Sequence, residues 1–285
     1  MLSEVKITTI CENSVPYPGR GLLGEHGLSM LLEAGGKKIL FDTGAGLTLV
    51  QNARTLGLDL NDLDAVVLSH GHFDHTGGLK ALLEIAGPLS IYAHPDIFGA
   101  KYHLREGQEP RNISLPWDRE ELENLGARFS LERSSQEIYK GVVLTGEIPR
   151  TQEWEKDLKG ELVLKKSDGS FCQDPLEDDQ SIIVETSVGS IVLLGCAHAG
   201  LINTFQHVRN LTGEQHIYAC IGGTHLIEAS EERMEYTLKK LSPFELEKIA
   251  PCHCTGFRAS FALYQAFGDR FLTHSAGTVF RFGGS

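Results

Sequence analysis

The sequence lacks a long apolar run, a signal-like N-terminus and a dense set of cysteines. No hydrophobic stretch reaches the roughly 18 residues that a membrane-spanning helix needs. The opening segment MLSEVKITTI does not have the charged and then apolar layout of a signal peptide. We therefore expect a cytoplasmic protein with no membrane partner. The 6 cysteines are dispersed along 285 residues, which predicts reduced thiols rather than a disulfide framework.

Basic residues are scarce relative to acidic ones. The chain has 26 Lys and Arg against 38 Asp and Glu, a formal net charge of -12. Such a surface repels nucleic acid and anionic membranes at long range. The charge therefore argues against a nuclease and favours a small-molecule substrate. No pattern in the sequence indicates an oligomeric state.

Short apolar segments rich in β-branched residues recur along the chain and predict strands, with helix-like stretches between several of them. Ser230 is a predicted helix N-cap, with Glu231 and Glu232 in the first turn. Hairpin-like strands followed by alternating strands and helices predict an α/β fold, a four-layered αββα sandwich forming a single domain over 1–285. The segment at about 95–175, rich in Gly, Pro and charge, is expected to be an irregular, lid-like insertion that partly covers the site.

The strongest chemical signal is the segment SHGHFDHTGG, which follows an apolar strand and precedes a helix. It brings together His70, His72, Asp74 and His75. Neutral imidazoles and a carboxylate are ligands that suit zinc, manganese or iron near pH 7. Residues two apart on an extended loop can turn to one point, while the pair after the turn reaches a second point. The spacing therefore predicts a metal-binding loop that serves two positions.

At these residues the sequence resembles the metallo-β-lactamase superfamily, whose H-x-H-x-D-H motif is present here. The resemblance implies the αββα sandwich (metallo-β-lactamase fold) and two divalent metal ions at the sheet ends. Zinc is the first expectation for these ions, and manganese or iron are the alternatives. It implies that His70 and His72 bind the first ion, and that Asp74 and His75 bind the second. In the segment ILFDTG, it implies that Asp42 is buried and orients the metal-binding loop without being a ligand.

The downstream part of the motif departs from the pattern common in that superfamily. Most members carry a bridging aspartate where this chain has Cys196, and His198 follows two residues later. We expect His198 to complete the first metal position and His253, in APCHCTG, to complete the second. Cys196 and Asp179 are the candidates for a bridging or neighbouring group.

Two interpretations remain open at these downstream residues. His198 could instead be a histidine at a helix N-terminus that is hydrogen-bonded to backbone. If the strand continues through Cys252 and Cys254, both thiols point away from His253, which predicts packing roles for them. A soft zinc site built on these two thiols would need further thiols at suitable spacing, which the sequence does not offer.

Candidates for proton transfer are His26 and His225, which lie beside glycines at predicted strand ends, with surface histidines as the alternative. Asp74 is a catalytic candidate as well as a ligand. Asp178 and Asp179 are further candidates for a proton shuttle.

Candidates for binding a substrate phosphate are basic residues in or near the predicted insertion. Arg150, in GEIPR, is the first of them because a guanidinium matches phosphate oxygens in bidentate fashion. Lys101 and Arg105 are expected to be solvated surface charges instead.

Several further segments, EHGLSMLLE, IGGTHL, GCAHAG, TGEIPR and PCHCTG, resemble a subgroup of metal-dependent hydrolases. That subgroup includes enzymes similar to 7,8-dihydropterin-6-methyl-4-(β-D-ribofuranosyl)-aminobenzene-5'-phosphate synthase. The resemblance implies hydrolysis of a small, phosphorylated or otherwise anionic substrate by metal-activated water. One alternative is a transferase similar to that synthase, which would release diphosphate. A second is a non-catalytic metal-dependent sensor or binding protein.

Overall fold

Two β-sheets pack face to face at the centre of the protein, and helices cover both outer faces. The computed structural model describes residues 1–155, 160–214 and 216–283. Its strands are β1 (Glu4–Cys11), β2 (Ser29–Ala34), β3 (Lys37–Phe41), β4 (Ala65–Val67), β5 (Leu89–Ala93), β6 (Lys101–His103), β7 (Arg111–Asn112), β8 (Ala127–Leu131), β9 (Gln136–Tyr139), β10 (Val142–Leu144), β11 (Leu162–Lys165), β12 (Phe171–Gln173), β13 (Ser181–Thr186), β14 (Gly189–Leu194), β15 (Ile217–Gly223), β16 (Lys248–Cys252) and β17 (Val279–Gly283). Its helices are α1 (Leu49–Leu56), α2 (Phe73–Thr76), α3 (Leu79–Ala86), α4 (Arg119–Asn124), α5 (Leu201–Thr212), α6 (Glu231–Leu241) and α7 (Gly256–Phe267).

Both large sheets combine hairpins with parallel strands. The first has the order β17-β1-β2-β3-β4-β5-β8, and the second has the order β16-β15-β14-β13-β10-β9. Strands β3, β4, β5 and β8 run parallel, as do β14, β15 and β16. Ligand sites in such sheets form beyond the carboxyl ends of parallel strands. This topology directs attention to the loops that follow β3, β4, β14, β15 and β16.

The sequence of β13 shows why the strands read as continuous apolar runs. Ile182 and Val184 face the core between the sheets, whereas Ile183 faces the helical layer that includes Phe205 of α5. Alternate side chains of a strand point to opposite faces, so a strand covered on both sides is apolar throughout. The first sheet is covered in the same way, since Leu82 of α3 packs on its outer face. The predicted αββα sandwich is confirmed.

The segment expected to be an irregular insertion, about 95–175, is more regular than the prediction. Within it, β8 pairs with β5 in the first sheet, and β10 and β9 extend the second sheet beside β13. Strands β6, β7, β11 and β12 form a separate four-stranded sheet, called here the accessory sheet. These strands are short and half-exposed, so their alternation is too weak to predict from sequence. Residues 156–159, inside the predicted insertion, lie outside the described residues.

Two local features of the helices can be stated directly. The Ser230 hydroxyl accepts a hydrogen bond from the Arg233 backbone N–H at 3.2 Å, which confirms the predicted N-cap of α6. None of the helices in the described part of the chain has both the length and the apolar character of a membrane span.

Candidate metal centre

The candidate site lies where the carboxyl ends of parallel strands from both sheets meet. Four residues in these strand-end loops have left-handed backbone conformations, with φ of 60° at Asp42, 52° at Ala197, 48° at His225 and 51° at His253. Non-glycine residues rarely adopt this conformation, which costs on the order of 1–3 kcal/mol and persists only where the surrounding structure offsets that cost. The loops after β3, β14, β15 and β16 therefore turn sharply to direct their side chains to one place.

Three buried imidazoles form the first group of candidate ligands. The ring of His70 lies 4.5 Å from that of His72 and 4.8 Å from that of His198, between centroids. His72 Nε2 and both ring nitrogens of His198 are buried without a hydrogen-bond partner among the described residues. The alternative interpretation, in which the His198 side chain is hydrogen-bonded to backbone, is therefore wrong. Burial lowers the pKa of His72 to about 3, so its ring is neutral and offers a free lone pair.

A carboxylate and further imidazoles form the second group. His253 Nε2 lies 3.2 Å from His75 Nε2 and 3.3 Å from Asp74 Oδ2, and His26 Nε2 lies 3.2 Å from the same carboxylate oxygen. Burial alone would raise the pKa of Asp74, but His75 and hydrogen bonds from His253 and His26 outweigh it and hold the pKa well below its usual range. The carboxylate is therefore ionised and suited to a cation.

Cys196 lies between the two groups. Its Sγ is 3.1 Å from His75 Nε2. The donor atoms of Cys196, His70 and His198 lie within 4.8 Å of one another, and so do those of Cys196, His75 and His253. The thiol thus occupies a place from which it reaches both sets of imidazoles, as a bridging group would.

Cys254 contradicts the expectation that it packs away from the site. The strand β16 ends at Cys252, and the chain then forms a short 3₁₀ turn over His253–Thr255. This turn directs Cys254 Sγ toward the site, where it accepts a hydrogen bond from the His225 backbone N–H at 3.3 Å. Cys252 does belong to the core between the sheets.

Asp42 orients imidazoles of both groups. Its Oδ2 accepts hydrogen bonds from His75 Nδ1 at 2.6 Å and from the Ser69 hydroxyl at 2.7 Å. Since the Ser69 hydroxyl donates its hydrogen bond to Asp42, its oxygen is left to accept a hydrogen bond from His70 Nδ1, at 2.8 Å. Both histidines thereby direct Nε2 at the site. Burial alone would lower the pKa of His75, but the charges of Asp42 and Asp74 outweigh it and raise that pKa to about 9, so a cation binding at His75 Nε2 has to displace a proton. Asp42 is fully buried, as the resemblance to the superfamily implies.

Asn13 is an orienting residue that sequence reasoning missed. Its Oδ1 accepts a hydrogen bond from His253 Nδ1 at 2.9 Å, and a longer one of 3.4 Å from the Gly27 backbone N–H fixes the amide orientation. The Glu12 carboxylate accepts the His253 backbone N–H at 2.8 Å. The available signal was the pair of polar residues directly after β1, a buried strand that ends beside this site.

The structure brings both predicted proton-transfer histidines to the site. The ring of His225 lies 4.2 Å from that of His198, between centroids, and its Nδ1 is buried without a hydrogen-bond partner in the described residues. The His26 side chain is 64% exposed while it contacts Asp74, so it connects the buried carboxylate to solvent.

Lys101 and Asp178 contradict their predicted roles. Lys101 is buried, not solvated, and its Nζ donates to Asp174 and Asp178, at 2.9 Å each. The other oxygen of Asp178 accepts the Gly71 backbone N–H at 2.8 Å. Asp178 is therefore a support of the metal-binding loop, with both oxygens engaged, and is not available as a proton shuttle.

Arg150 and Asp179 both hold the loop that carries His198. The Arg150 guanidinium donates to the backbone carbonyls of His198, at 2.6 Å, and of Leu176, at 3.1 Å. Asp179 Oδ2 accepts the Ala199 backbone N–H at 2.8 Å, and burial raises the pKa of its carboxyl to about 6. Neither residue lines the cavity above the imidazoles. The expected substrate-binding role of Arg150 is thus replaced by a structural one.

A cavity of about 900 Å³ opens above the two groups. Its lining includes Trp154 and three arginines, Arg105, Arg111 and Arg233. Arg105 is half-exposed and lies 3.6 Å from carboxylate oxygens of both Glu161 and Glu228. The Nε of Arg233 is buried without a hydrogen-bond partner in the described part of the chain. Arg233 thus has, beside the cavity, an N–H whose partner is not among the described residues, a feature that the sequence did not single out.

Known proteins with similar sequences belong to one superfamily. The model of the metallo-beta-lactamase superfamily matches residues 23–253. The chain is 32% identical over 288 residues to the 7,8-dihydropterin-6-methyl-4-(beta-D-ribofuranosyl)-aminobenzene-5'-phosphate synthase of Methanocaldococcus jannaschii, covering 99% of this chain and 98% of that one.

Two further relatives differ in how much of the chain they cover. A solved structure of a metal-dependent hydrolase of the beta-lactamase superfamily superposes with a TM-score of 0.83 at 28% identity, covering 98% of this chain and 100% of the other. A ribonuclease Z of Clostridium botulinum is 27% identical over only 124 residues, 42% of this chain and 39% of the ribonuclease. The chain therefore belongs to the metallo-β-lactamase superfamily and, like these relatives, is an enzyme.

Proposed function

We propose that this enzyme is a hydrolase that uses two divalent metal ions and acts on a small anionic substrate. The observation that carries the proposal is the set of buried imidazole nitrogens without partners, on His72 and His198, beside the ionised Asp74 at the base of an open cavity. Buried polar atoms without partners are rare in folded proteins. Neutral imidazoles and a carboxylate are a donor set that fits a divalent cation.

The residues divide into two ligand sets under this proposal. His70, His72 and His198 would hold the first ion, and Asp74, His75 and His253 would hold the second. Zinc is the proposed metal because imidazole nitrogen, carboxylate oxygen and the nearby thiol are all ligands it accepts. A bound pair of such ions would supply a water of lowered pKa and neutralise charge that develops on the substrate.

The chain's own residues would manage protons and substrate charge. His26 Nε2 contacts Asp74 Oδ2 at 3.2 Å and its ring reaches solvent, so His26 can carry a proton from the site to bulk water. His225 Nδ1 is free to exchange a proton with a group in the cavity. Arg233 would bind the substrate anion through its unpartnered Nε.

A small substrate is favoured over a nucleic acid by two observations. The chain has a formal net charge of -12, and the positive groups of the cavity are interleaved with Glu161 and Glu228. The alignment with the ribonuclease covers 42% of the chain, whereas that with the synthase covers 99%. The negative surface would repel a nucleic acid along its whole length, whereas a compact anion can enter the cavity.

One observation favours a second candidate function. The full-length similarity to the dihydropterin synthase supports transfer, in which an acceptor other than water displaces diphosphate. The site chemistry is shared, because the same groups would stabilise the charge on a departing phosphate. What separates the two functions is the identity of the attacking group.

A substrate panel would test both candidates. Metal-free protein is reconstituted with zinc, manganese or iron and assayed on phosphate esters, lactones, thioesters and a dihydropterin diphosphate. Product release in water alone supports hydrolysis, and diphosphate release that requires an added aromatic amine supports transfer. Metal binding without turnover of any substrate class, with either acceptor, would contradict both.

The ligand sets have their own test. His70→Ala and His253→Ala should each lower the metal bound per chain, measured by elemental analysis after dialysis. A matched change of a half-buried histidine outside the site, His216→Ala, should leave it unchanged. Metal content equal to that of the wild-type protein in His70→Ala and His253→Ala would refute the assignment.

The proposed anion contact of Arg233 is tested by kinetics on the best substrate of the panel. Loss of a hydrogen bond to a charged group costs about 1.5–3 kcal/mol, so Arg233→Ala should raise KM by roughly 10- to 100-fold. A change that appears in kcat with KM unaltered would contradict a role in binding. Arg128→Ala, at an exposed position of β8, is the control and should leave both constants unchanged.

A further inference from the structure

A third donor group adjoins the two sets of imidazoles. The Sγ atoms of Cys196 and Cys254 and a ring nitrogen of His225 all lie within 4.8 Å of one another. We propose that these three residues form a sulfur-containing metal position that takes a thiophilic ion such as zinc, cadmium or copper(I). The position is joined to the two-metal site through the shared Cys196.

The three side chains come from three neighbouring strands. Cys196 follows β14, His225 follows β15 and Cys254 follows β16, and these strands pair in parallel. The left-handed conformation of His225 and the 3₁₀ turn after β16 bring their side chains inward. The donors are therefore held by the ends of a rigid sheet, which favours a defined geometry.

The close approach of Cys254 depends on a glycine. A Cβ built on Gly223 would lie 2.6 Å from Cys254 Sγ, closer than real side chains come. Glycine is the residue that leaves this space for the thiol. Because Gly223 has no side chain, Cys254 Sγ can lie close to the backbone of β15 at this position.

The contacts of the three donors leave their lone pairs available. His225 Nδ1 is buried and has no hydrogen-bond partner among the described residues. Cys254 Sγ donates a long contact of 3.6 Å to the Cys196 carbonyl and accepts the His225 backbone N–H at 3.3 Å, and Cys196 Sγ lies 3.1 Å from His75 Nε2. A thiolate sulfur has further lone pairs beyond one such contact. Two thiolates and an imidazole are soft and borderline ligands, which select zinc, copper(I) and similar ions over manganese or magnesium.

Binding at this position has a chemical consequence for its neighbours. Both thiols lose their protons to solvent when the ion binds, so binding releases protons. An ion held by Cys254 and His225 also recruits Cys196, which the two imidazole groups share. An excess of a thiophilic ion would therefore inhibit the enzyme by withdrawing Cys196 from the site between the histidines.

A cadmium titration tests this position without any substrate. Full-length protein is first reconstituted with manganese, which prefers oxygen and nitrogen ligands, and cadmium is then added while ultraviolet sulfur-to-cadmium charge-transfer absorption is recorded. We expect a saturable band in the wild-type protein, about half that intensity in Cys254→Ser, and the wild-type intensity in Cys220→Ser. Cys220 is the matched control because its thiol is buried in the core beneath α5.

Two results would overturn the proposal. The first is the absence of a sulfur-to-cadmium band, and the second is a band of full intensity in Cys254→Ser. Far-UV circular dichroism establishes that each variant is folded. If Cys254→Ser does not fold, His225→Ala keeps both thiols and should weaken cadmium binding at this position by at least about tenfold, as removal of a ligand predicts.

The outcome is independent of the proposed hydrolase activity. The charge-transfer band requires no turnover, so an inactive substrate panel would leave the cadmium result standing. Conversely, a protein that hydrolyses a substrate but shows no sulfur band would retain its proposed function and lose this third position.

Discussion

At the scale of single residues, Asp42 has the widest influence on the candidate site. It accepts a hydrogen bond from His75 directly, and it fixes His70 through the hydroxyl of Ser69. Each link places a proton on Nδ1 and thereby directs Nε2 at the site. One carboxylate thus sets the ring orientation in both candidate metal positions.

This arrangement predicts that Asp42→Ala weakens both metal positions and Ser69→Ala only one. Loss of such an orienting partner typically lowers metal affinity by roughly 10- to 100-fold. Isothermal titration of metal-free protein should show two weakened binding events in Asp42→Ala and one in Ser69→Ala. Asp59→Ala, at an exposed 3₁₀ turn, is the control. Two unaltered dissociation constants in Asp42→Ala would contradict the model of orientation.

Asn13 has the corresponding position for His253. Its Oδ1 accepts a hydrogen bond from His253 Nδ1, which directs Nε2 toward Asp74 and His75. Asn13→Ala should weaken one metal position by roughly 10-fold or more, and Asn13→Asp should restore affinity because a carboxylate is a stronger acceptor. The measurement is again the metal dissociation constant, with exposed Asn61→Ala as the control. Failure of Asn13→Asp to exceed Asn13→Ala would argue against the role.

The two kinds of residue differ in how far sequence predicts them. His70, His72, Asp74 and His75 lie on one loop, so their spacing alone indicates shared ligands. Asn13, by contrast, meets His253 across 240 positions of sequence. Such pairings depend on how strand ends assemble, and the polar residues after β1 do not indicate by themselves which histidine they meet.

At the scale of elements, the accessory sheet is tied to the metal-binding loop by buried charge. Lys101 on β6 donates to Asp174 and Asp178, and Asp178 in turn accepts the Gly71 backbone N–H. Loss of the Lys101 cation or of a carboxylate that it contacts would cost folding free energy, because the charges that remain would be buried without a partner. The predicted insertion therefore does more than cover the site: it also supports the metal-binding loop.

Replacing this lysine should destabilise the protein strongly. Lys101→Met keeps the aliphatic stem and leaves two buried carboxylates without their cation, which we expect to cost about 3–5 kcal/mol of unfolding free energy. Urea unfolding of the metal-free protein measures it. Lys165→Met, at an exposed position of β11, provides the comparison and should cost less than about 0.5 kcal/mol. A similar small loss in both variants would show that the ion cluster is not a structural support.

Strand prediction succeeded where burial is two-sided and failed where it is not. The segments 182–184 of β13 and 191–194 of β14 are continuously apolar because both faces of these strands are covered. Strands β6 and β12 are three residues long and largely half-exposed, so neither alternation nor an apolar run appears in their sequence. The αββα core was therefore predictable from the sequence. The boundary of the insertion was not, because it is defined by which strands pair in the folded protein.

At the scale of the whole molecule, the site unites the two halves of the sandwich. The loop after β4 belongs to the first sheet, and those after β14, β15 and β16 belong to the second. Because His70 and His198 come from different sheets, the candidate metal position exists only when the halves are packed together. We propose on this basis that 1–285 folds as a single domain.

This dependence predicts that metal removal lowers global stability. A ligand that binds only the folded state stabilises it by roughly 2.7 kcal/mol when its free concentration is about 100-fold above Kd. For a chain of this size, thermal unfolding should shift down by at least about 5 °C on chelation, and recover when metal is restored. His70→Ala should show a smaller shift, since one ligand set is already broken. Differential scanning calorimetry provides the measurement, and equal unfolding temperatures with and without chelator would refute a link between the metal sites and the packing of the two halves.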